Sequence, residues 1–133
     1  MTVLQAILFA DSLKPNAFTA EQKLVWLNEL EGRIQSLIHN RKPEELVKYT
    51  LPDDEETAMI VTAPYDTVYW KWLCAMIDYA NGEYDKYINA QMAANHAYQD
   101  YAKWVIRTGY ELPRKEELPD DPDEGLEGVL PGT

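Results

Sequence analysis

Apolar and polar positions alternate along this chain with the period of a helix rather than that of a strand. Val3, Leu4, Ile7 and Leu8 form one stripe and predict a short helix over 3–10, broken by Lys14-Pro15-Asn16. Phe18 then precedes Thr19-Ala20-Glu21-Gln22, which has the form of a capping box. In such a box the Thr hydroxyl and the Gln side chain each satisfy a free backbone N–H of the other residue. A long helix is expected to follow over about 20–39. Its stripe is Leu24, Leu27, Leu30/Glu31, Ile34, Leu37 and Ile38, with Trp26 beside it and Gly32 inside it.

The signal weakens from Asn40 to Ala63. Lys42-Pro43-Glu44-Glu45 predicts a helical turn or two, and Pro52-Asp53-Asp54-Glu55-Glu56 a solvated acidic loop. The run Ala58-Met59-Ile60-Val61 is either extended or a lead-in to the next helix; periodicity does not decide. Pro64 suits the first turn of a helix, where its missing N–H costs nothing, so a helix is expected over about 64–80. Val68, Trp72, Ala75, Met76 and Tyr79 share one face of it. Tyr65, Tyr69, Leu73, Ile77 and Ala80 share the next. Asn81-Gly82, which tolerates positive φ, ends this helix. The next, about 83–108, carries Tyr84, Tyr87, Ile88, Gln91, Ala94, Asn95, Tyr98, Tyr101, Ala102 and Val105, and stops at Gly109. A turn this tight folds the two helices back antiparallel. The expected fold is all-α: a small bundle of about four helices with a long antiparallel C-terminal hairpin.

Charge divides the chain into a domain, 1–110, and a tail, 111–133. The 133 residues carry a net charge of -11. Residues 111–133 hold eight acids against Arg114 and Lys115, with four of the eight prolines and three of the six glycines. That composition predicts a flexible acidic tail, or one ordered by a partner, with Leu126, Val129 and Leu130 as its anchors. The acidic balance, with no basic cluster beyond Arg41-Lys42, argues against binding nucleic acid or an anionic membrane surface. A lone cysteine, no leader-like N-terminus and no apolar run of about 20 residues predict a soluble protein of a reducing cytoplasm.

No constellation for chemistry is apparent. Cys74 lies mid-helix with no histidine placed to activate it, and reads as a buried structural thiol. His39, His96 and Cys74 lack metal-ligand spacing. Paired acids such as Asp53-Asp54 and Asp120-Asp121 read as solvated charge. The expectation is no enzyme, no cofactor and no metal. What stands out is aromatic: seven tyrosines and three of the four tryptophans fall between Pro64 and Thr108. Core packing accounts for part of this, and an interface for the rest. The candidate packing or interface residues are Tyr65, Tyr69, Trp70, Trp72, Tyr84, Tyr87, Tyr98 and Tyr101; Asn81 and Gly82 define the turn. Trp70 and Trp72 lie about 200° apart on a helix, so they face different neighbours.

The stretch Ala63-Pro64-Tyr65-Asp66-Thr67-Val68-Tyr69, followed by Ile77-Asp78-Tyr79-Ala80-Asn81-Gly82-Glu83-Tyr84-Asp85-Lys86-Tyr87, resembles small proteins of tailed phages and prophages. The resemblance runs on through Asn89-Ala90, Ala97-Tyr98, Tyr101 and Arg107-Thr108. Upstream it takes in Glu21 to Leu24 and Trp26 to Ile34, so it covers about residues 15–108. These proteins are similar to the head–tail connector, or head-completion, family. The resemblance implies a non-enzymatic virion protein that assembles as a ring under the portal, with itself, portal and tail proteins as partners. It implies assembly in the bacterial host cytoplasm and a final place at the head–tail junction. Two other readings compete. Gly82-Glu83-Tyr84-Asp85-Lys86 resembles the second-helix start of a tetratricopeptide repeat, a peptide-binding module, though no second copy follows at that period. A regulatory protein of a mobile element is the other.

Overall fold

A computed structural model describes residues 1–114. Among them the chain is all-helical, with four α-helices: α1 (Val3–Leu13), α2 (Ala20–Arg33), α3 (Thr67–Ala80) and α4 (Tyr84–Thr108). The acidic segment beyond Arg114, expected as a flexible tail, lies outside the described residues. The helices enclose one core, built from Val3, Ile7, Leu27, Leu30, Val68 and Leu73 among others.

Local signals set the helix ends. Thr19 and Gln22 form the expected capping box at α2. A second box, Thr2 with Gln5, starts α1. The first N–H groups of α1 are further satisfied by the 55–57 loop: Val3 donates to the Thr57 carbonyl and Leu4 to that of Glu55. Gly82 closes the α3–α4 turn at φ +73°, and Gly109 ends α4 at φ +69°. An added Cβ at Gly82 meets nothing within 4 Å, so only the backbone opposes substitution there. Gly82→Val is expected to cost about 1–2 kcal/mol in urea denaturation, the penalty of a left-handed β-branched residue. An unchanged midpoint would contradict that turn geometry.

Three expectations are corrected. Pro64 does not open α3. It sits, cis to Ala63, in a turn closed by the Tyr65 N–H on the Thr62 carbonyl, and α3 begins at Thr67. The single helix expected over 20–39 changes character at Ile34. Ile34–Ile38 is a π-turn, with the His39 N–H bonding the Ile34 carbonyl five residues back. A wider turn advances fewer degrees per residue, so Leu37 falls behind the core stripe and lies exposed while Gln35 is buried. Finally, Ile88 points to solvent. The core face of α4 is Ala94, Ala97, Tyr101 and Val105.

The stretch the sequence left open, 40–63, is irregular but fastened. Beyond a short 3₁₀ turn at Pro43–Glu45, two carboxamides of the second helical segment act as substitutes for a neighbouring strand. Asn28 donates to the Tyr49 carbonyl at 3.0 Å and accepts from its N–H at 2.9 Å. Gln35 makes the same pair with Val47, at 3.0 and 2.7 Å. Buried backbone groups require partners, and here side chains provide them. The run 58–61 makes one antiparallel bridge, between Ala58 and Thr2, then bends at Ile60 and Val61, and it buries Met59 and Val61.

Candidate interaction surface

The buried frame that positions the aromatic hairpin centres on Glu31, which is completely excluded from solvent. Its carboxylate accepts three hydrogen bonds. Tyr49 Oη donates to Oε2 at 2.6 Å, Tyr69 Oη to Oε1 at 2.7 Å, and the Ile60 N–H to Oε2 at 3.0 Å. Tyr69 Oη in turn accepts the Val61 N–H at 2.8 Å. One side chain thus ties α2 to α3 and to the irregular segment between them. Burial pushes the Glu31 carboxyl above its ordinary range, and the three donors pull it only partly back. Burial and the adjacent carboxylate raise both tyrosine hydroxyls.

Around this frame the eight candidate aromatics divide by depth. Tyr69 and Tyr101 are core. Tyr65, Trp70, Trp72, Tyr87 and Tyr98 are half-buried, and Tyr84 is exposed. Trp70 meets Phe9 of α1 edge-to-face at 4.9 Å. Trp72 turns toward α2 instead, its Nε1 donating to the Trp26 carbonyl at 2.9 Å while the Arg33 guanidinium lies 5.6 Å above its ring. The two tryptophans therefore seal opposite flanks of α3. Tyr79, Tyr84 and Tyr87 cluster at the Asn81-Gly82 turn, with ring centroids 5.7 and 5.1 Å from Tyr79.

A second cluster forms at the other end of α4. Tyr101 stacks on Trp104 at 5.8 Å and lies 6.1 Å from Tyr65. Its hydroxyl is 2.7 Å from His39 Nε2. Tyr110, beyond α4, packs on both Trp104 and His39. Arg41 holds this end closed by donating to the Leu112 carbonyl. Burial, helped by the Arg41 charge, lowers the His39 pKa and favours its neutral form. Neither His39 nor Trp104 was among the expected residues. The partners of His39 are far away in sequence and no local pattern announces it, whereas the spacing of three between Tyr101 and Trp104 is a helical one that could have pointed to the tryptophan.

The remaining chemistry is sparse. Cys74 is buried, and burial pushes its thiol up to about 11, a poor setting for a nucleophile. Two ion pairs reinforce the α1 side: Lys23 to Asp11 at 2.7 Å, and Lys14 to the buried Asp78 at 2.9 Å. Among the described residues no group of three or more His, Cys, Asp or Glu could hold a metal ion. No helix among them is long and apolar enough to cross a membrane.

What the surface does carry is apolar area on two sides. Tyr84, Ile88 and Met92 of α4 are exposed at intervals of four, and Ile106 is exposed fourteen residues further on. At about 100° per residue these positions fall on one flank. On the other side of the bundle, Leu8, Phe9 and Leu13 of α1 are also exposed. Exposed apolar side chains grouped within two turns of a helix, as at Tyr84, Ile88 and Met92, are of the kind found at contact surfaces. In comparisons with known proteins, the chain matches no family model, no curated protein and no solved structure.

Proposed function

We propose that this chain is a non-enzymatic assembly protein, a head–tail connector of a tailed phage or prophage that closes as a ring beneath the portal. The supporting observation is the pair of apolar flanks, one on α4 and one on α1. A ring needs head-to-tail contacts between two different surfaces, and closure follows when the rotation between subunits completes a circle. The residues in which the sequence resembles connector proteins fall in α2, in the turn before α3 and in the α3–α4 hairpin. The net charge of -11 suits a lumen through which DNA slides without being held.

The experiment is assembly of the purified full chain, alone and with portal, followed by light scattering and electron microscopy. Rings are the expected result. A protein that stays monomeric with portal present would overturn the reading. Ile88→Asp with Met92→Asp is expected to abolish rings. Both side chains are more than half exposed, so the monomer's stability should move by less than about 0.5 kcal/mol.

A further inference from the structure

Between the end of α1, α3 and the first half of α4 lies a groove of about 360 Å³, lined by Leu13, Trp70 and Ala93 together with Lys14, Lys71 and Lys86. Its lining combines apolar side chains with three lysines, in a protein whose charge is otherwise strongly negative. Lys14 is committed to the buried Asp78. Lys71 lies over the Trp70 ring at 5.5 Å. Lys86 pairs with Glu83 at 2.9 Å on the open surface, an exposed pair of the kind that exchanges readily for another carboxylate.

The chain itself contains the complementary sequence. The 19 residues after Arg114 include seven acids, and their few apolar side chains gather in Leu126, Val129 and Leu130 behind Asp123-Glu124. We propose that the groove receives residues 123–130 of a neighbouring copy, with the leucines against Leu13 and Trp70 and the carboxylates facing Lys71 and Lys86. Length permits it. The ten residues from Arg114 to Glu124 span up to about 35 Å. Arg114 borders a cleft with Val105 and Ile106 at the far end of α4 from Lys86. A head-to-tail arrangement that sets the exit end of one subunit against the groove of the next would bring the segment within reach. This inference rests on the assembly reading above, and it names the contact that would link successive subunits.

The test uses full-length protein mixed from ¹⁴N- and ¹⁵N-labelled batches and treated with a carbodiimide, which joins carboxylates to amines without a spacer. Mass spectrometry should find Lys71 or Lys86 joined to Asp120–Glu127 carboxylates, in mixed-isotope pairs. Leu126→Asn with Leu130→Asn leaves every reacting lysine and acid in place and adds none, and should cut those links about tenfold. Links confined to same-isotope pairs would mean that the segment folds onto its own subunit, and would overturn the proposal. So would cross-links elsewhere with none in the groove, or an undiminished yield in the double variant. Rings without these links would sink the inference and leave the assembly reading standing. Mixed-isotope links without rings would do the reverse.

Discussion

Replacing Glu31 with alanine is expected to remove about 4 kcal/mol of stability, a large fraction of what a domain of this size possesses. The loss comes from what is left behind. Tyr49 Oη, Tyr69 Oη and the Ile60 N–H all donate to this carboxylate, and each buried donor without an acceptor costs about 1–3 kcal/mol. Glu31→Gln retains one oxygen, enough for the two donors that now share Oε2. Its amide then faces Tyr69 Oη, which already accepts from Val61, so a cost of about 1–2 kcal/mol is expected. Urea midpoints at constant slope measure both. A loss below about 1 kcal/mol for Glu31→Ala would mean that water replaces the carboxylate, and that the node is not dry.

The same node sets a pH dependence whose sign is opposite to that of most acids. The Glu31 carboxyl is raised in the folded state, so the folded protein binds this proton more tightly than the unfolded chain. Stability from this group is greatest in acid. It falls as pH rises from the ordinary glutamate range, near 4.5, through the higher folded value. Glu31→Gln should flatten that part of the profile, and a profile unchanged by the substitution would count against a buried charge.

The features legible in the sequence are those whose causes are local. The Thr19–Gln22 box, the Asn81-Gly82 turn and the stop at Gly109 each depend on residues within a few positions of one another. Helix faces were legible in direction and less so in depth. Spacing put Ile88 with the α4 stripe and Leu37 with the α2 stripe, yet a π-turn and the angle of packing leave both exposed. Pro64 fitted a helix start equally well as the turn it occupies. Glu31 shows the limit most clearly. Spacing alone placed it with Leu30 in the α2 stripe, and gave no sign that its carboxylate is buried and bonded. Its burial depends on Tyr49, Ile60 and Tyr69, which lie 18, 29 and 38 residues away. The candidate surface was legible as a concentration of rings, and only the fold separates Tyr69 and Tyr101, which hold the core, from Tyr84, which faces out.

Tyr101→Ala is the second large effect, expected at about 4 kcal/mol, the usual cost of emptying a buried aromatic site. The ring is 2% exposed and touches Trp104, Tyr65 and His39, so its removal opens a cavity bounded by three aromatic groups rather than by side chains free to collapse. Tyr101→Phe separates packing from polarity. It keeps the ring and deletes the hydroxyl 2.7 Å from His39 Nε2, for a cost of about 1 kcal/mol. With the neutral imidazole as its Nδ1–H tautomer, Nε2 accepts that bond, and protonation reverses it by turning Nε2 into a donor to the tyrosine oxygen. The folded His39 pKa lies below its ordinary 6.5, so the folded protein binds this proton less tightly than the unfolded chain does. The stability it contributes is complete above about pH 6.5 and is lost as pH falls toward the folded value. Without the Tyr101 hydroxyl, Nε2 loses that partner, and the His39 titration should move. Histidine NMR titrations of the two proteins measure it directly. An identical His39 titration in both would mean that burial and Arg41 alone hold the imidazole neutral. The cluster closing this end of α4 would then be held by packing, with no contribution from the hydroxyl.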